Sequence, residues 1–335
     1  ALMVNLNGSR LRLRDAEGNV RAALSVERDG LPQLEMADPK AIARVTVGVV
    51  ENRPLVELHD EQGQARLSLA TQADGSPIIE LTDSEGDRRG TLSAEAKFTS
   101  LNLRHGKENV QVSLGVADNG ESMLVLHESS GQGKLVLSND GEGRRIRLDD
   151  SQGKHRLALS LGKGEHPGLV FSDAEGQTRV IFSTFADGNP DLILVGPNKK
   201  PAARLHIGKD GLPALTFLDA DGHVRAALAL VNGGNPVFNL SDAQGEPRWS
   251  LAVLPDGSPS VSLYDAKGSP RATFRGGDMG ASLSLNDPQG AVRAMFCVDD
   301  EGTANLQLSD AEGKRKAIIG ITKEANAFHF CDADG

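Results

Sequence analysis

A turn of the form Asp-x-x-Gly recurs through the whole chain. It reads DAEG at 15–18, DEQG at 60–63, DSEG at 83–86, DSQG at 150–153, DAEG at 173–176 and DADG at 219–222, then DAQG at 242–245, DAKG at 265–268, DPQG at 287–290, DAEG at 310–313 and DADG at 332–335. Degenerate versions at Asp38, His105, Glu128 and Gly196 fill the gaps. The marks then fall at 15, 38, 60, 83, 105, 128, 150, 173, 196, 219, 242, 265, 287, 310 and 332, every interval being 22 or 23 residues. A period held from end to end is the signature of stacked supersecondary units, none of which buries its apolar face alone. It makes residues 1–335 a single tandem array of about 15 units.

Counting from the mark as position 0, positions -4 and -2 are apolar in every unit, as in Leu11 and Leu13, Leu34 and Met36, Leu169 and Phe171, and Phe328 and Phe330. Positions +5, +7 and +9 are mostly apolar, as in Val20, Ala22 and Leu24, or Val224, Ala226 and Leu228. Polar residues stand between them, and a period of two specifies strands with one buried and one wet face. A second turn, often Asp-Gly or Asn-Gly (Asp29-Gly30, Asp74-Gly75, Asn119-Gly120), follows about midway. Each repeat is two short strands and two turns.

This grammar fits an antiparallel meander, a parallel β-solenoid or a seven-bladed β-propeller. Position +6 is Arg in ten units and Lys in two. A solenoid would stack those charges at about 4.8 Å, whereas a meander doubles the spacing and interleaves another strand. Treating Asp-x-x-Gly as the hairpin loop, position -2 faces +5 and -3 faces +6. The resulting pairs are Glu35 with Arg44, Glu57 with Arg66 and Glu80 with Arg89; uncharged Asn102 then faces Gln111, Ile193 faces Ala202, and only Arg12 with Arg21 and Arg147 with Arg156 clash. A propeller buries both faces of each blade, which the Arg column opposes. The fold expected is all-β: a long antiparallel meander of two-strand repeats, prism-like, shell-like or fibrous. Its continuous apolar face needs cover from the sheet's own curvature or from another copy.

Composition agrees. The chain has 12 aromatics, 38 Gly and 15 Pro in 335 residues, too few large apolar side chains for one wide core. A net charge of -10 opposes general attraction to nucleic acid or anionic lipid. No apolar run approaches the roughly 20 residues that a membrane-spanning helix needs. The chain opens on Ala1 and closes on Gly335 inside a turn, as a segment of a longer or processed protein would.

The turn YDAKG at Tyr264–Gly268, preceded by an alternating strand and followed by Arg271, resembles the tyrosine-aspartate repeats of bacterial RHS-type shells. The broader consensus, L-x-L-x-D-x-x-G-x-x-R-A-x-L followed by D-G-x-P, is similar to tandem β-hairpin repeats of bacterial envelope proteins and secreted fibres. That resemblance implies an extracellular or cell-surface structural or adhesive role, and brings no catalytic residues.

Chemistry-bearing motifs are sparse. Eight histidines are scattered without a two-His helical motif or a Cys partner at metal-ligand spacing. No nucleophile elbow or phosphate loop occurs, so no catalytic, cofactor or metal residue is assigned and the chain is read as a non-enzyme. Cys297 and Cys331 lie one and a half repeats apart on the polar parity and are expected as free thiols. The acidic turns lack the ligand series of an EF-hand, leaving at most scattered weak calcium sites.

Two departures from the polar face are candidate sites. Val170, Ile181, Ile193, Val195 and Ala202 fall on outward parities of four consecutive strands, with Ile181 facing Ile193, and form an apolar contact patch. Arg145, Arg147, Lys154 and Arg156 share one outer face and could hold an anionic glycan or phosphate. The expected function is an extracellular structural fibre, stalk or scaffold, a homo-oligomer with a homotrimer favoured, self-associated through the apolar face. The alternative is an adhesin or receptor-type module recognising protein or glycan.

Overall fold

The turns are hairpins throughout. A computed structural model describes residues 2–5, 8–26, 28–106, 109–129, 132–231, 233–278, 280–321 and 326–330. Among these lie thirty β-strands, from β1 (Leu2–Asn5) to β30 (Asn326–Phe330), and no helix. The chain divides into two units, Ala1–Pro167 with Ala174–Gly176, and Gly168–Asp173 with Gln177–Gly335. The first unit holds β1 to β15 (His155–Gly162) and the second holds β16 (Pro167–Ser172) to β30. Within each unit, described strands pair antiparallel with their neighbours in sequence, which is the meander and not the solenoid. Pairing runs unbroken past every fourth strand, so propeller blades are also excluded.

The mark turn is a three-residue loop. In the turn at Asp15, the Gly18 N–H donates to Asp15 O at 3.1 Å, and the Asp15 N–H donates to Asn19 O at 3.0 Å. Gly18 takes φ 90°, the left-handed position that closes a type I turn in such a hairpin. The Asp carboxylate caps the loop: Asp60 Oδ1 accepts the N–H groups of Gln62 and Gln64, both at 2.9 Å. Many minor turns close the same way, with the acid moved two places along, so that Asp74 Oδ1 accepts the Ser76 N–H at 2.9 Å, while others, as between Val50 and Arg53, are two-residue loops. Proline follows several of these minor turns as the first strand residue (Pro32, Pro77, Pro213), where no ladder donor is lost.

The expected cross-strand register is corrected. Glu35 faces Thr46, Glu57 faces Ser68 and Glu80 faces Thr91, none of them the +6 arginine. Glu80 does pair with an arginine, at 3.0 Å, but it is Arg88. Asn102 faces Ser113 and Ile193 faces Arg204, while the two clashes dissolve because Arg12 faces Ala23 and Arg147 faces Ala158. Two effects cause the offset. The loop pairs position 0 with +4, and a β-bulge then sets -1 against +5 and -2 against +7, leaving +6 as the extra residue.

Candidate functional site

The bulge aims most +6 cations back at their own turn. Ten mark aspartates pair with them: Asp15 with Arg21, Asp60 with Arg66, Asp83 with Arg89, Asp150 with Arg156, Asp173 with Arg179, Asp219 with Arg225, Asp242 with Arg248, Asp265 with Arg271, Asp287 with Arg293 and Asp310 with Lys316. The same guanidinium reaches the following mark turn. Arg179 donates to Gly196 O at 2.7 Å, while Arg21, Arg66 and Arg248 donate to the carbonyls of Asp38, Asp83 and Asp265. One sheet edge in each unit is therefore laced turn to turn. The Arg column is structural, and its charges are spent inside the ladder.

The N–H of Gln64 is the main influence holding the Asp60 carboxyl below its ordinary 3.8; burial opposes it, and Arg66 reinforces it. The Lys154 N–H acts first on Asp150 in the same sense, against burial and with Arg156. These groups stay ionised at neutral pH and are poor candidates for proton transfer.

The apolar face is a different matter. Its side chains, at -4, -2, +7 and +9, stand directly opposite one another across every strand pair, as in the row Leu11, Leu24, Leu34 and Val47. They are exposed: Leu13 61%, Leu114 47%, Phe182 52%, Phe274 53% and Phe296 55%. The few apolar side chains that are buried include Val125 and Val136, which face each other on the opposite, mainly polar face. The whole chain exposes 21032 Å². A compact monomer of its 35.4 kDa mass would expose roughly 13,000 Å².

The two units differ on this face. Eleven of the 12 aromatics lie beyond residue 168, and the one in the first unit, Phe98, sits on the polar parity over Gly115. On the second unit's apolar face Phe171, Phe182, Phe217, Phe274, Phe296 and Phe328 are joined by Phe238 and Trp249, which meet edge to face at 5.6 Å. The -2/+7 row there alternates large and small in strand order: Leu194, Ala203, Phe217, Ala226, Leu240, and later Leu263, Ala272, Leu285, Ala294, Leu308, Ala317. The corresponding row of the first unit is mostly large on every strand, and its gap at Gly90 is filled from within, since a Cβ there would meet Leu81 Cδ1 at 3.3 Å. Each unit has an apolar trough. One of about 630 Å³ is lined by Leu124, Leu137, Ile146 and Leu159, and one of about 460 Å³ by Phe274, Leu283, Phe296 and Ile319.

The two sequence-derived sites fare differently. Val170, Ile181 and Ile193 form one cross-strand line as expected, half-buried on the polar face. Val195 lies one turn-ward of them, opposite Pro201, and Ala202 is exposed at the bulge. Beside this line is an ion pair that sequence reasoning missed. Asp191, 1% exposed, accepts from Arg204 Nε at 2.6 Å, and the guanidinium lies 6.0 Å from the Phe185 ring centroid. The signal was available, because the 196 unit has Ala202 at +6 and an arginine two places later. In the basic set, Arg145 pairs with Asp140 at 3.5 Å, Arg147 with Asp149 at 3.1 Å and Arg156 with Asp150 at 3.2 Å. The Lys154 N–H donates to Asp150 Oδ1.

Cys297 is a free thiol that donates to Asn305 Oδ1 at 2.9 Å, and Cys331 lies outside the described residues. One mark turn gathers Asp219, Asp221 and His223 with ligand atoms within 4.8 Å of one another, a grouping that the D-x-D-x-H spacing could have flagged. Asp219 Oδ1 there already accepts the N–H groups of Asp221, Gly222 and His223. Among the described residues no helix is long and apolar enough to cross a membrane.

No known protein family matches the chain, and no curated protein matches it. Among solved structures it is similar to a chain of the TcdB2-TccC3-Cdc42 crystal structure, at 9% identity over 96% of this chain and 22% of that one, with a TM-score of 0.17. It is also similar to a chain of the Photorhabdus luminescens Tc holotoxin pore, at 10% identity over 100% of this chain and 22% of that one, with a TM-score of 0.17. The chain spans about a fifth of the length of either, and neither likeness bears on its function.

Proposed function

We propose that the protein is a non-enzymatic structural scaffold that self-associates through the apolar face of its sheet. The observation that supports this reading is the face itself: rows of Leu, Val, Ile and Phe on consecutive strands, with the large side chains at -2 and +9 exposed. Exposed apolar patches beyond a few hundred Å² mark interaction surfaces. At about 25 cal/mol per Å², covering even part of the excess area supplies ample driving force for association. The ionised turn aspartates point the same way, because their partners are backbone amides and arginines of the ladder. We place the protein at the cell exterior, as a fibre, stalk or scaffold, on the resemblance of its turn consensus to bacterial envelope and secreted repeats.

The test is the mass of the full chain in solution across a dilution series, by light scattering coupled to size exclusion. Assembly that strengthens with concentration and resists high salt is expected, since apolar contacts are not screened. A single-chain mass at every concentration would remove the reading. A three-sided prism gives three times the chain mass and a paired sandwich gives twice. A second reading, a binding module for protein or glycan, draws on the line Val170, Ile181 and Ile193. Serine at Ile181 and Ile193 would abolish such a contact and leave self-association unchanged.

A further inference from the structure

We infer that the second unit's apolar face is the self-association surface, and that its occupant is the same face of a second copy, with large side chains of each seated over alanines of the other. The inference rests on the scaffold reading and says which half of the chain carries it.

Area makes the case for a pair. Obligate homodimers bury roughly 2,000–5,000 Å² in total. The unit's fifteen strands, at about 4.8 Å apart and about 20 Å long, present a face of roughly 1,400 Å² on each copy, which in a pair falls within that range. No charged side chain occupies the rows -4, -2, +7 or +9 of the second unit, so a like face meets no charge repulsion. Interface cores favour aromatic residues, and every aromatic on an apolar row belongs to this unit.

Geometry makes the case for a copy. Alanine occupies +7 in five of the unit's repeats: Ala203, Ala226, Ala272, Ala294 and Ala317. A large residue stands on each neighbouring strand at the same level, so knobs and holes alternate strand by strand at about 4.8 Å. A two-fold axis running along the strands, midway between one strand and the next, carries the knobs of this row onto holes of the partner, except at Trp249, where three consecutive strands are large. A second copy shares both that pitch and the alternation of large and small side chains. Two sheets so related lie about 10 Å apart, the spacing of packed sheets, and an interface of this kind is self-complementary. The trough lined by Phe274, Leu283 and Phe296 lies on the same strands. The first unit, mostly large in the corresponding row, lacks this corrugation.

The experiment measures the mass and dissociation constant of the full chain by sedimentation, with three paired variants. Leu285→Ser with Leu308→Ser removes knobs of the row. Ala272→Leu with Ala294→Leu fills holes while adding apolar surface, so it cannot act by removing packing. Leu58→Ser with Leu81→Ser is the control, at the same -2 position of first-unit repeats. Circular dichroism confirms that each is folded. A two-chain wild type is expected, with the knob and hole variants each weakened about tenfold or more and the control within about threefold. Equal weakening of all three pairs would overturn the assignment to the second unit and leave self-association standing. So would a three-chain mass, which a two-fold contact cannot build. A wild type that stays a single chain and instead binds phosphatidylcholine vesicles would overturn both this inference and the scaffold reading.

Discussion

At the scale of single residues, the turns decide the fold, and each three-residue turn needs a left-handed residue at its fourth position. Most have glycine there, but two degenerate marks do not: Ala41 holds φ 62° and Lys199 holds φ 64°. Both turns close as the others do, with the Ala41 N–H on Asp38 O and the Lys199 N–H on Gly196 O, each at 3.0 Å. An L-residue in that region costs about 1–2 kcal/mol, part of which glycine returns as unfolded-chain entropy. Ala41→Gly and Lys199→Gly are therefore each expected to stabilise the chain by about 1 kcal/mol, read as a higher urea midpoint. The turn carboxylates make a second prediction. Asp60, Asp83 and Asp150 are held below their ordinary 3.8 first by backbone amides, and then by arginine, against burial. The folded chain thus binds protons less tightly than the unfolded one. The stability they contribute is complete above about pH 4 and is lost as pH falls through their lowered folded values. The urea midpoint should be level from about pH 7 to 5 and should fall below about pH 4. A midpoint that drops already at pH 6 would point to histidines instead.

At the scale of the hairpin, the +6 arginine couples one repeat to the next, joining Asp60 of its own turn to the Asp83 carbonyl of the following one in the case of Arg66. Arg66→Gln should lower the midpoint at neutral pH. The gap from wild type should narrow as pH falls through the lowered folded value of Asp60, since only the carbonyl contact remains once that carboxylate is protonated. This coupling also explains how much of the fold could be read from residues. The period, the strands and both faces were legible, because apolar alternation and Asp-x-x-Gly spacing are local. The register was not. The three-residue loop and the bulge each displace the pairing by one, so -2 meets +7 and not +5. A shift of two keeps parity, which is why Leu34 and Val47 were assigned to the right face while Glu35 was given the wrong partner. The line Val170, Ile181 and Ile193 was legible for the same reason. The Asp191–Arg204 pair left only a trace, the arginine moved two places along in the 196 unit, because no other repeat has an aspartate at -5 to announce its partner.

At the scale of the molecule, a described strand within either unit contacts its sequence neighbours, so stability is a sum of repeat terms and nearest-neighbour terms. Such an array tolerates loss of a whole period but not of half of one. Deleting residues 219–241 removes two strands and two turns. It brings Leu218 to Asp242, keeps every mark turn on one edge, and leaves each later +6 arginine beside its own aspartate. Deleting a single strand with one turn puts the later mark turns on the opposite edge of the unit. The Asp–Arg lacing is then interrupted at the junction, where Arg225 would otherwise reach Ser241 O at 3.1 Å. The whole-repeat deletion is expected to keep the wild-type circular dichroism per residue and nearly the wild-type midpoint. The half-repeat deletion is expected to unfold at lower urea, with the change seen first at Trp249, the chain's single tryptophan, which lies on the C-terminal side of the cut. Equal midpoints for the two deletions would show that the ladder along the mark edge contributes nothing to coupling between repeats. Backbone pairing and the apolar face would then be what binds neighbouring hairpins together.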